Sequence, residues 1–232
     1  MDDVKARAIV ALDVPGAADA HALLERLGPG ADFVKIGSEL FTAAGPAVVS
    51  RMRAERRDVF LDLKWHDIPN TVRSAARSAA ALDVRLATVH ASGGRAMLEA
   101  AVEGAGHACG VMAVTVLTSL EAASLGDAWG RPIARVEDEV LRLAEMARAA
   151  GAHGIVCSGA EAAAVRAAFG DSLRLLIPGI RLPGGATHDQ ARVVTPEGAL
   201  AAGASYLVLG RAVTAAADPR ETLAAIRRTI AA

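Results

Sequence analysis

The feature that most limits what this chain can fold into is an alternation repeated eight times along it. Short apolar runs at 8–13, 32–37, from Asp58 onward, and at 84–90, 110–117, 154–158, 173–177 and 205–209 read as strands. Helical stretches follow them at 18–27, 40–54, 70–82, from Ser92-Gly93-Gly94 to about 104, and at 136–150, 160–169, 196–202 and 219–231. A short extra helix is expected over 119–126, and a Gly/Pro-rich loop over 178–190. Parallel neighbours need a crossover, usually helical, so this rhythm predicts a parallel sheet. Eight such units in a chain of 232 residues fit a closed (β/α)8 barrel, the TIM-barrel architecture, as one domain over residues 1–232. An open doubly wound sheet is disfavoured, because no G-x-G-x-x-G follows the first strand.

Composition narrows the partners. Apolar residues make up 53% of the chain and aromatics 3%, so alanine-rich, close-packed helices are expected rather than aromatic clusters. A net charge of -1 gives no electrostatic reason for binding nucleic acid or an anionic membrane. Cys109 and Cys157 form no C-x-x-C pair, which suits a reducing compartment. The charged start Met-Asp-Asp-Val-Lys has no signal-like apolar core, and no apolar run reaches membrane-spanning length. A cytoplasmic protein is expected.

Chemistry concentrates in residues 58–71, D-V-F-L-D-L-K-W-H-D-I-P-N-T. Asp62 and Lys64 are two apart, so on a strand both side chains leave the same face. Asp67 follows, and Pro69 suits the first turn of a helix. Carboxylates bracketing an ammonium at the end of a buried strand burden a core and suit catalysis. A structural ion pair is the plain alternative. In such a barrel the active site forms at the C-terminal strand ends. Those ends carry Asp13, Lys35, Asp62 with Lys64, His90, Thr118, Ser158, Pro178-Gly179 and Gly210-Arg211. Glycines and arginines after strands seven and eight (Gly179, Arg181, Gly184, Gly185, Gly210, Arg211) suggest a phosphate site, because glycine admits backbone amides to an anion and arginine offers a planar fork. The six histidines show no metal-ligand spacing such as H-x-H or H-E-x-x-H, and no Ser-His-Asp or cysteine-nucleophile set stands out. His90 is read as a hydrogen-bonded wall residue, Cys157 as buried, Trp65 and Trp129 as packing, and the arginines of 51–57 as a solvated helix end.

Asp62-x-Lys64-x-x-Asp67 followed by Ile68-Pro69-Asn70-Thr71 resembles the signature of the orotidine 5'-phosphate decarboxylases. The resemblance extends to Ala11-Leu12-Asp13, Val34-Lys35-Ile36-Gly37, Val89 to Gly94, Val116 to Ser119, Pro178 to Arg181, Asp189-Gln190-x-Arg192 and Val208 to Arg211. The D-x-K-x-x-D core is shared with metal-using sugar-phosphate synthases and decarboxylases. The Ile-Pro-Asn-Thr extension, Thr118-Ser119 and Gln190 favour the pyrimidine enzyme. The resemblance implies conversion of orotidine 5'-monophosphate to UMP and CO2, without metal or cofactor, in pyrimidine biosynthesis. It implies that Lys64 protonates C6, that Asp62 faces the departing carboxylate, and that Lys35 and Asp13 hold the charge network and the ribose. Thr118 and Ser119 would meet the pyrimidine edge. Pro178, Arg181, Gln190, Gly210 and Arg211 would serve the phosphate end and its closing loop. It further implies a homodimer in which Asp67 and Thr71, with Ile68 beside them, reach the neighbour's site. The alternatives are a metal-dependent sugar-phosphate aldolase or decarboxylase, and a non-catalytic barrel binding phosphoribosyl ligands.

Overall fold

A computed structural model describes residues 6–182 and 194–231. Among them, eight parallel strands close a barrel in chain order. The strands are β1 (Arg7–Ala11), β2 (Phe33–Gly37), β3 (Asp58–Trp65), β4 (Leu86–His90), β5 (Gly110–Val114), β6 (Gly154–Val156), β7 (Arg174–Ile177) and β8 (Tyr206–Leu209). The helices around them are α1 (Ala17–Leu27), α2 (Ser38–Ala44), α3 (Pro46–Ala54), α4 (Pro69–Ala81), α5 (Arg95–Ala105), α6 (Ala122–Trp129), α7 (Val136–Ala149), α8 (Gly159–Phe169), α9 (Pro196–Ala201), α10 (Arg211–Thr214) and α11 (Pro219–Ala231). No helix of the described residues is long and apolar enough to cross a membrane.

Several elements differ in extent from their apolar runs. The fifth run, 110–117, pairs only as far as Val114, and the first ends at Ala11 rather than at Asp13. The freed residues become rim loop. The stretch 40–54 is two helices, not one. Gly45 adopts φ 63, and Pro46 occupies the first turn of α3. A left-handed glycine stops a helix and a following proline starts one, so Gly45-Pro46 carried the break in its own chemistry. The short α10 after β8 was not foreseen.

Strand parity layers the barrel interior. Ile9, Phe33, Phe60, Leu86, Met112, Leu176, Tyr206 and Val208 form a compact inner cluster, separate from the larger core between strands and helices. Two residues further along β2, β3 and β4 the same inward face carries Lys35, Asp62 and Thr88. The apolar layer is thus the floor beneath a polar mouth. At the opposite end, Asp58 accepts from Arg7 at 2.7 Å and from Arg53 at 3.2 Å, and Arg53 also reaches Asp83 at 2.6 Å. Arg57 donates to the Ala31 carbonyl. Arg53 and Arg57 therefore tie down strand entrances instead of ending a helix in solvent. Cys109 and Cys157 are buried and form no disulfide with each other, and burial pushes the Cys109 thiol up to about 12.

Helices α4 and α5 approach closely at Gly104, where an added Cβ would lie 2.2 Å from the Arg73 carbonyl oxygen. Backbone cannot yield as a flexible side chain can. Gly104→Ala is expected to destabilise by about 1–3 kcal/mol through overpacking. Chemical denaturation checks this, and an unchanged midpoint would refute the close approach.

Candidate active site

The mouth opens into a cavity of about 620 Å³, lined by residues from every strand end except that of β4. That volume suits a nucleotide-sized ligand. Asp13, Lys35, Asp62, Lys64, Thr118, Pro178, Gly179, Gly210 and Arg211 line it, as the strand-end reading expected, and Ser119 and Arg181 line it with them. Val114, Val156 and Leu176 form its apolar floor, and Thr214 of α10 joins from the β8 side. Those four were not singled out from the sequence.

A continuous chain of charge runs along one wall. Lys35 Nζ donates to Asp13 Oδ1 at 2.6 Å and lies 3.7 Å from Asp62 Oδ2. Lys64 Nζ donates to both Asp62 oxygens at 2.9 Å. Lys35 and Asp62 are buried, whereas Lys64 is partly open to the cavity. Gly37 makes room for this network at the end of β2. A Cβ there would sit 2.9 Å from Lys35 Nζ and 3.2 Å from Asp13 Oδ1.

Asp62 and Lys64 share the mouth by a route different from regular strand alternation. Leu61 pairs with Ala87 and Trp65 with Val89, so residues 62–64 of β3 stand opposite Thr88 alone on β4. Within this bulge Lys64 adopts φ 51. A non-glycine residue in the left-handed region is strained, and such strain gathers at functional sites. Thr88, fully buried, bridges the bulge: its Oγ1 accepts from Lys64 N at 2.8 Å and donates to Asp62 Oδ1 at 3.0 Å. Sequence reasoning missed Thr88. Its signal was parity, since it lies two residues before His90 on the same strand.

Other expected residues lie elsewhere. His90 is half-buried and packs on His66 with ring centroids 5.5 Å apart. No hydrogen bond partners its ring among the described residues, so ring packing replaces the hydrogen-bonded wall expected of it. Burial, then the neighbouring His66 and Lys64, push its imidazole down, with Asp62 opposing. The neutral form is therefore favoured. Ser158 is buried below the rim, where it and Glu161 form a capping box on α8. Trp129 lies under the guanidinium groups of Arg131 and Arg142. Asp67, Ile68 and Thr71 are exposed and do not line this cavity, and Asp67 Oδ1 accepts from Ile68 N at 2.6 Å. Gln190 lies outside the described residues, as do Gly184 and Gly185.

The family model described as "Orotidine 5'-phosphate decarboxylase / HUMPS family" matches residues 6–226, nearly the whole barrel. The chain belongs to this family. Among the relatives, the orotidine 5'-phosphate decarboxylase of Halorhodospira halophila is 51% identical over 231 residues, covering 97% of this chain and 96% of the relative. That of an Anaeromyxobacter species (strain K) is 53% identical over 226 residues, with 97% of each covered. The crystal structure of orotidine 5'-phosphate decarboxylase from Lactobacillus acidophilus superposes with a TM-score of 0.87 at 37% identity, covering 98% of this chain and all of that one. Family membership and the closed barrel agree, and the matched span includes the whole charged wall.

Proposed function

We propose that this protein decarboxylates orotidine 5'-monophosphate to UMP and CO2 in pyrimidine biosynthesis, with Lys64 delivering a proton to C6. The observation that carries this is the Lys64 ammonium held by both oxygens of Asp62 over an apolar floor. Loss of CO2 leaves an electron pair on C6 in an orbital with no conjugated sink. A fixed positive charge at that position stabilises the developing carbanion in a poorly hydrated pocket. The C6–carboxylate bond breaks, the pair stays on C6, and the ammonium proton moves to it. Solvent then reprotonates the amine, so one proton is consumed per CO2 released. Asp62 beside the substrate carboxylate adds like-charge repulsion that departure of CO2 relieves. Lys35 neutralises Asp62 from the other side and, with Asp13, is suited to the ribose hydroxyls.

The phosphate end is assigned to the β7 and β8 loops. In the ring of eight, β7 lies four places from β3, so an anion there is across the mouth from Lys64. Arg181, Pro178, Gly210 and Arg211 line that side, with open space beside Gly210. Thr118 and Ser119 are suited to the pyrimidine edge. Gln190 is assigned to the phosphate by resemblance alone.

The exposed stretch from Asp67 to Thr71 supports a shared-site homodimer. Ile68 is 66% exposed, an unusual state for a large apolar side chain beside a catalytic motif. Asp67 and Thr71 are assigned to the neighbour's cavity.

The carboxylates of the charged wall are already matched by ammonium groups, Asp13 by Lys35 and Asp62 by Lys64 and Lys35. This pairing favours the metal-free pyrimidine reaction over the metal-using sugar-phosphate chemistry. The test follows orotidine 5'-monophosphate absorbance with and without EDTA. Turnover unaffected by chelation is expected. Activity lost on chelation and restored by Mg²⁺ would transfer the protein to the metal-using group, and binding without turnover would make it a non-catalytic barrel.

A further inference from the structure

We infer that Thr88 is a positioning residue for the Asp62–Lys64 pair, a role that rests on the decarboxylase reading of the site. Three residues of β3 face this one residue of β4, so the bulge cannot complete the backbone ladder. The Lys64 N–H then needs another acceptor in a buried setting. Thr88 Oγ1 supplies it at 2.8 Å, and its own proton goes to Asp62 Oδ1 at 3.0 Å. Chemistry fixes both directions: a backbone N–H can only donate, an ionised carboxylate can only accept, and a hydroxyl does both.

The consequence reaches the reacting centre. Lys64 is held at φ 51, a conformation its Cβ disfavours, and the neighbouring hydroxyl supplies a contact that holds it there. The same hydroxyl orients the Asp62 carboxylate whose two oxygens grip Lys64 Nζ. Thr88 is fully buried and does not line the cavity, so it acts through these two residues and not on substrate. Its β-branch restricts χ1, which keeps the bridge in one geometry.

The experiment compares Thr88→Val, which keeps the shape and removes the hydroxyl, with Thr88→Ser, which keeps the hydroxyl. For Thr88→Val, kcat is expected to fall about 10²-fold, the loss typical of an ångström-scale misplacement. KM and affinity for UMP should change by no more than a few-fold, because the phosphate and pyrimidine contacts lie elsewhere. Thr88→Ser should recover most of the lost kcat. Equal loss in Ser and Val, wild-type kcat in Val, or a parallel loss of UMP affinity would each overturn the role. A crystal structure of Thr88→Val decides it without reference to turnover. The Lys64 Nζ–Asp62 contact and the left-handed Lys64 backbone should both relax, and their persistence unchanged would refute the bridge. Absence of turnover in the wild type would instead reject the decarboxylase reading, leaving the crystallographic comparison to judge Thr88.

Discussion

Lys64→Ala is expected to lower kcat for orotidine 5'-monophosphate by at least about 10⁴-fold. Two contributions disappear together. A positioned proton donor typically supplies 10²–10⁴-fold, and a preorganised charge beside a developing anion about 10²–10³-fold. They reside in one ammonium, so they do not simply multiply, but either alone would be prominent. A 10⁴-fold loss corresponds to ~5 kcal/mol of transition-state stabilisation. Removing Lys64 also leaves the buried Asp62 with Lys35 at 3.7 Å and the Thr88 hydroxyl as its remaining partners. Affinity for UMP, measured by calorimetry, should survive and shows that the site remains folded. A variant retaining more than a tenth of wild-type kcat would remove Lys64 from the chemistry.

The second large effect is reactivation in hybrid dimers. Asp67→Ala and Arg211→Ala should each be nearly inactive alone, the first by losing a group offered to the neighbour, the second by losing the phosphate fork in its own subunit. Mixed in equal amounts and allowed to exchange, half the dimers are heterodimers. Each of these carries one intact site and one doubly damaged site. Activity should therefore recover to about a quarter of the wild-type level, as two-fold symmetry requires for a site built from both subunits. No recovery, with exchange demonstrated by differently tagged subunits, would confine Asp67 to its own chain. That outcome would also need another reason for the exposure of Ile68 and its neighbours.

Much of the site was legible because barrel geometry turns strand ends into neighbours. Asp13, Lys35, Asp62 and Lys64 are scattered over about fifty residues of chain, yet each lies in the C-terminal half of one of three consecutive strands or just beyond it, and the structure joins them by contacts of 2.6 to 3.7 Å. Ser158 satisfied the same positional rule without belonging to the cavity. A strand-end serine followed three residues later by Glu161 also satisfies a capping box, and that local pairing won. His90 shows the limit of a positional rule in another way. Its strand end points to the mouth region, but packing against His66 takes the ring.

Local pattern in the chain was enough to determine the eight-fold alternation, the placement of Lys35 and Asp62 toward the C-terminal ends of their strands, and the grouping of glycine and arginine after the last two strands. These depend on periodicity and on short-range turn chemistry, which neighbouring residues specify. Only the tertiary structure decided how Lys64 reaches Asp62. The bulge exists because residues 62–64 must be measured against Thr88, more than twenty positions away, and register is a property of a strand pair. The room at Gly37 and the close approach at Gly104 are likewise set by distant partners. The outward exposure of Asp67, Ile68 and Thr71 was decided there too, since burial depends on what the rest of the chain packs against them.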